Sequence, residues 1–101
     1  MSAPPVRVTL YTKAECSLCD EMGTVIAGMG AEVPLQVTVV DIGRDPDLTR
    51  RFGHEVPVLL VDGRKAFKYR VTAASLKRRI WRAHWERRIF GPPPEVPGGG
   101  T

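Results

Sequence analysis

Residues 6–22 read VRVTLYTKAECSLCDEM, and the fold turns on how this stretch is read. Its first seven residues alternate, with Val6, Val8 and Leu10 on one face, which is the period of a β-strand. From Ser17 the period changes to that of a helix, and Leu18, Met22, Val25, Ile26 and Met29 form one apolar stripe closed by Gly30 as the expected C-cap. Cys16 and Cys19, the two cysteines of the chain, stand at the change of period. Two thiols at this spacing fit half of a zinc site, a redox couple or a coincidence, and the surrounding elements have to decide.

Onward from this stretch the pattern stays orderly. LQVTVVDI (35–42) is rich in β-branched residues and almost continuously apolar, which predicts a strand packed on both faces. RDPDLTRRFG (44–53) has a short helix's start and stop: Asp45 as N-cap, Pro46 at the first helical position, Leu48 and Phe52 four apart, Gly53 at the end. PVLLV (57–61) predicts a third strand, and the Asp62-Gly63 pair is a two-residue hairpin signal. RKAFKYRV (64–71) would return as a fourth strand with Phe67, Tyr69 and Val71 on one face. Thr72 caps a last helix with Leu76, Ile80 and Ala83 toward the core. The order β-α-β-α-β-β-α predicts an α/β domain: a parallel βαβ unit followed by an antiparallel hairpin, hence a mixed four-stranded sheet flanked by helices.

A chain of 101 residues with 43% hydrophobic content builds one core. The domain is expected over residues 6–90, after a flexible N-terminus (1–5) and before a Pro/Gly-rich disordered tail (91–101). No apolar run reaches the roughly 20 residues of a membrane span, and MSAPPVRVTL does not read as a secretory signal. The expected location is therefore cytoplasmic, where thiols are kept reduced. Charge is uneven: residues 1–63 carry −4, and residues 64–88 carry +9, with Glu86 the one acid among ten Lys/Arg.

The elements settle how the two thiols are read. Cys16 falls at a helix N-terminus, where free N–H groups and the positive dipole end favour a thiolate over a thiol. Cys19 lies one turn inside, within reach of a disulfide. Lys13 is expected to reach the thiolate and the Ser17 hydroxyl to donate to it, whereas Glu15, Asp20 and Glu21 oppose it unless they point into water. Zinc would need four ligands, and only His54 and His84, far along the chain in other elements, are left to complete the set. No metal is expected.

LYTKAECSLC resembles the glutaredoxin opening, a strand ending in Tyr-Thr-Lys before Cys-x-x-Cys, and HEVPVLLVDG (54–63) is similar to that family's Val-Pro signature. The resemblance covers about residues 6–85, and the element order is that of the thioredoxin-like fold. It implies a disulfide oxidoreductase in which Cys16 attacks, Cys19 resolves and Lys13 assists. It further implies a cis Val56–Pro57 bond beside the dithiol, with Val56, Pro57, Ser17, Leu18 and Thr72 as substrate-binding residues. Partners would be a disulfide-bearing protein or a glutathione mixed disulfide, with glutathione or a reductase as electron donor. Apart from the resemblance, a monomer is expected, with no membrane partner because no span is present and with nucleic acid not the expected partner. Two features depart from the family: Ser17-Leu18 stands between the cysteines, and YRVTAASLKRR (69–79) lacks the Gly-Gly pair and acidic helix start that hold glutathione. Lys13 and Val56 remain available to glutathione as cofactor.

SLKRRIWRAHWERR (75–88) admits a different function class, an adaptor whose basic helix is a surface for nucleic acid, an anionic membrane or an acidic partner protein. The plainer reading is a solvated face, with Trp81 and Trp85 packing onto the sheet or under arginine stems.

Overall fold

The computed structural model describes residues 5–91. The expected flexible N-terminus and tail, apart from Pro5 and Gly91, lie outside the described residues. The chain runs β1 (Val6–Thr12), α1 (Ser17–Gly30), β2 (Leu35–Asp41), a 3-10 turn (Ile42–Arg44), α2 (Pro46–Phe52), β3 (Val58–Val61), β4 (Arg64–Lys68) and α3 (Ala73–Phe90). The sheet order is β2-β1-β3-β4. β1 and β2 are parallel with Val6 opposite Leu35, while β3 runs antiparallel to both β1 and β4. This is the mixed, helix-flanked sheet that the periodicity implies.

Each face of the sheet has its own core. On one, Val6, Val8 and Leu10 of β1 and Leu59 and Val61 of β3 pack against Met22, Ile26 and Met29 of α1 and Leu76, Ile80 and Ala83 of α3. On the other, Tyr11 and Val58 gather Ile42, Leu48 and Val56, with Cys19 in the same cluster. Among the described residues no helix is long and apolar enough to cross a membrane.

Four local expectations need correction. β2 is not packed on both faces: it is an edge strand, and Val37 and Val39 are exposed although they share a face with the core residues Val8 and Leu10. Its β-branched run reflects strand propensity, not double burial. The C-cap of α1 is Ala31, and Gly30 is the last helical residue. β4 stops at Lys68 because Tyr69 takes a left-handed conformation (φ 69°), which turns its ring outward instead of alongside Phe67. Finally, neither tryptophan broadens the core: Trp81 is 54% and Trp85 64% exposed.

The basic segment is also less solvated than its composition suggests. Arg87 of α3 is withdrawn to pair with Asp62, the first residue of the β3–β4 turn, where Asp62 (φ 49°) and Gly63 (φ 83°) are both left-handed. The Asp62 carboxylate accepts from Arg87 Nε (2.7 Å), Arg87 Nη2 and the Arg7 N–H (3.0 Å), and Arg87 Nη1 donates to the Pro5 carbonyl (2.9 Å). One carboxylate thus ties the hairpin to the start of β1 and the end of α3. Arg79 is likewise mostly buried and faces Glu86 at 3.6 Å.

Removing one member of a buried, hydrogen-bonded ion pair strands the other charge. Asp62→Ala is therefore expected to destabilise the fold by about 3–5 kcal/mol, read from the urea midpoint, whereas Asp62→Asn keeps a turn-compatible side chain and falls between. An Asp62→Ala midpoint equal to the native one would show that the pair adds nothing.

Candidate redox site

At the end of β1 the chain leaves the sheet through Lys13–Glu15, with Glu15 in the left-handed region (φ 55°). Cys16 follows in an extended conformation as the N-cap of α1. Its Sγ accepts a hydrogen bond from the Cys19 N–H (3.2 Å), and its carbonyl accepts from the Asp20 N–H (3.2 Å). Sulfur therefore takes the place usually held by a serine or aspartate oxygen at a helix start. Cys16 and Cys19 are joined in a disulfide, with Cα atoms 5.2 Å apart. Cys16 is half-buried and Cys19 only 3% exposed, so the outer sulfur is the one a partner can reach.

The second signature converges on the first. The Val56–Pro57 peptide bond is cis. Val56 is buried in the same apolar cluster as Cys19, and Cys16 packs against that cluster. The approach is set by α2, whose last residue, Phe52, stacks on Tyr11 of β1 (4.8 Å between ring centroids) and accepts the N–H groups of Glu55 and Val56 on its carbonyl (2.9 and 3.1 Å). Glu55 is held from β4 by Lys65 (3.2 Å) and Lys68 (3.6 Å). The hydrogen bond from Lys65, then the charges of both lysines, hold its carboxyl below the usual glutamate range.

Not every expected site residue joins this group. Lys13 does not pair with the sulfur: its ammonium donates to the Gly53 carbonyl (3.3 Å), where the C-terminal end of α2 attracts a cation. The Ser17 hydroxyl makes no hydrogen bond to Cys16, and the donor to that sulfur is the Cys19 backbone instead. Leu18, half-buried, and Ser17, exposed, form the first turn of α1 beside the disulfide. The Thr72 hydroxyl is taken up in a capping box with Ser75 (2.8 Å between hydroxyls) at the start of α3. Glu15, Asp20 and Glu21 are all exposed.

Two neighbours were not anticipated. Where the Gly-Gly pair would stand, the Tyr69 hydroxyl donates to the His54 carbonyl (3.1 Å), and Arg70 reaches Glu21 of α1 (3.9 Å). The positive φ at Tyr69 has no marker in a tyrosine. Among the described residues no group of three or more His, Cys, Asp or Glu side chains lies together as metal ligands.

A dithiol at the start of α1, set beside a buried X-Pro loop on a β2-β1-β3-β4 sheet, defines a thioredoxin-fold protein of glutaredoxin type. Residues 7–81 match the glutaredoxin-like domain (DUF836), and the chain belongs to that family. An uncharacterized protein of Mycobacterium tuberculosis is 31% identical over 94% of this chain and 96% of its own. An X-ray structure of a protein from X. campestris superposes with a TM-score of 0.64 at 29% identity, covering 74% of this chain and 96% of that one. Thioredoxin-2 of a malaria parasite shares the fold (TM-score 0.57, 17% identity, 77% and 82% covered).

The lowered carboxyl of Glu55 predicts a pH dependence. Because the folded carboxyl titrates below the unfolded one, its contribution to stability is present above the ordinary glutamate pKa and is lost as pH falls through the folded value. A carboxyl-carbon NMR titration should place the Glu55 midpoint below the ordinary glutamate value, and Lys65→Met should move it back toward that value. An unmoved midpoint in Lys65→Met would show that Lys65 is not the cause.

Proposed function

We propose that this protein is a thiol–disulfide oxidoreductase whose working group is the Cys16–Cys19 pair. The observation that carries the reading is the asymmetry of the two sulfurs. Cys16 is accessible and sits where the Cys19 N–H and the helix terminus favour an anion, while Cys19 is covered and one turn away.

In the reduced protein the Cys16 thiolate attacks one sulfur of a substrate disulfide. The substrate S–S bond breaks, a Cys16–substrate mixed disulfide forms, and the first substrate thiol leaves, taking a proton from solvent. Cys19 then loses its proton and attacks the Cys16 sulfur. The second substrate thiol leaves and the intramolecular disulfide remains, so one substrate disulfide has been reduced to two thiols and the protein dithiol oxidised. Two further thiols, from glutathione or a reductase, return the pair to its reduced form.

Ser17 and Leu18 beside Cys16 are the side chains that would meet the substrate, whereas Val56 and Pro57, whose side chains are buried, would contribute backbone. Lys13 contributes from the Gly53 side as a cation near the entrance rather than as a direct partner of sulfur. Tyr69 and Arg70 fill the corner that glycines leave open in the family's glutathione binders, which favours an extended protein substrate over glutathione. The reading belongs to a reducing compartment such as the cytoplasm, where such thiols are supplied.

Cys16→Ser is expected to abolish reduction of protein disulfides. Cys19→Ser should still attack but fail to resolve, accumulating a mixed disulfide visible by non-reducing electrophoresis and mass spectrometry. In the reduced native protein Cys16 should alkylate before Cys19 at neutral pH. Preferential labelling of Cys19, or no adduct in Cys19→Ser, would sink the assignment.

A further inference from the structure

The outward side of α3 is used by neither the core nor the dithiol. Leu76, Ile80, Ala83 and Arg87 face inward, so the opposite side of the helix carries Trp81, Trp85 and Ile89, spaced i, i+4, i+8, and all three are exposed. At 100° per residue, Arg82 borders this stripe on one side and Lys77 and Arg88 on the other, while Arg78 falls within its angular range, N-terminal to the tryptophans. Phe90, more exposed still, closes the end. Among the described residues Arg78 and Arg88 have no ion-pair partner, while Lys77 and Arg82 meet acids only at 3.5 and 3.8 Å on the surface. Both tryptophans of the chain are therefore held in water, between rows of arginine and lysine.

We infer that this face of α3 lies on an anionic lipid bilayer, with Trp81, Trp85 and Ile89 entering the headgroup boundary and Lys77, Arg78, Arg82 and Arg88 on the lipid phosphates. Three observations select this occupant. Apolar side chains with basic residues along both edges are the arrangement of an interfacial helix, and indole suits the headgroup depth because its ring is apolar and its N–H polar. The strip is convex and one helix wide; from Lys77 to Phe90 it is roughly 20 Å long and about 10 Å across, about 200 Å², far short of the roughly 800 Å² per side that a stable protein partner buries. A bilayer requires no matching groove. A second copy would bring the same uncompensated arginines against these, which like-charge repulsion disfavours.

Placement agrees with an anchoring role. Arg87 donates to Pro5 at the start of β1, whereas Cys16 follows the end of β1, a strand of 7 residues. At about 3.3 Å per residue the two ends are roughly 20 Å apart. A protein held by this outward face, on the side of α3 opposite the core, keeps its dithiol free. The sequence already admits an anionic membrane as a surface for this helix; the expectation of no membrane partner rests on the absence of a spanning segment, which an interfacial helix does not need.

The chain supplies its own probe, because its tryptophan emission comes only from Trp81 and Trp85. Full-length protein titrated with phosphatidylcholine vesicles containing about one-third phosphatidylglycerol, near 0.1 M salt, should shift its emission to the blue and co-sediment. Pure phosphatidylcholine vesicles should do neither. Replacing Arg78, Arg82 and Arg88 by Gln should weaken binding on the order of 100-fold, roughly fivefold per charge. Trp81→Ser with Trp85→Ser should weaken co-sedimentation at least tenfold with an unchanged circular dichroism spectrum. Unshifted native emission on the anionic vesicles would overturn the inference whether or not the variants fold. So would an equal shift on neutral vesicles, a shift produced by concentrating the protein alone, or one produced by an oligonucleotide and not by vesicles.

Discussion

β1 is enclosed on both sides, and the direction in which it runs through the domain arranges everything that follows. Val6, Val8 and Leu10 are sealed by α1 and α3, while Thr9 and Tyr11 are buried on the opposite face. A strand flanked by β2 and β3 and covered above and below can shift register only by driving a whole set of side chains into the wrong core. Its C-terminal end must therefore deliver Cys16 at one fixed point. Its N-terminal end must meet Asp62 through the Arg7 N–H, and with it the Arg87 side chain. The chemistry and the closure of the fold stand at opposite ends of one rigid element.

At the chemical end, the local electrostatics are simpler than charge counting suggests. Lysine at position 13 and three acids nearby invite an account built on side-chain charges. The geometry leaves the acids in water, where they are screened, and engages Lys13 with a carbonyl at the end of α2. What remains at short range of the Cys16 sulfur is the Cys19 N–H and the dipole end of α1. Both come from the backbone, so they persist through any substitution that preserves the helix start. The reactivity of the site is in this sense a property of the strand-to-helix turn, and side chains adjust it from further away.

How much of this could be read from residues alone differs by the kind of signal. β1, α1, α2, the Asp62-Gly63 turn and the Thr72 cap are legible because periodicity, capping side chains and glycine each carry a local physical cause. β2 misleads, because valines and threonines announce a strand but not whether the strand is central or at the edge, which depends on the order of strands. The end of β4 is lost for a related reason: a left-handed tyrosine is held by its surroundings, including the hydroxyl bond to the His54 carbonyl, and not by its own preference. At the site, the two cysteines and the Val56–Pro57 pair were legible through motif and resemblance. The actual donor to sulfur was a backbone N–H, which every residue has and no sequence advertises.

The basic helix shows why composition is a poor guide to a surface. Ten Lys/Arg in residues 64–88 suggest one cationic face, yet Arg87 is spent on Asp62, and Arg79 and Arg64 face Glu86 at 3.6 and 4.0 Å. Subtracting these structural pairs leaves a narrower group of cations, and it lies along a row of exposed tryptophans. Two indoles held in water are unfavourable for an isolated monomer, since burying each would remove a large apolar area from solvent. The core offers them no room, because Leu76, Ile80 and Ala83 already fill the α3 side of the sheet. A helix so saturated on its inner face can satisfy its outer one only against something outside the domain. Because that face runs toward the end of β1 remote from Cys16, the proposed binding there and the proposed disulfide exchange would not compete for the same surface.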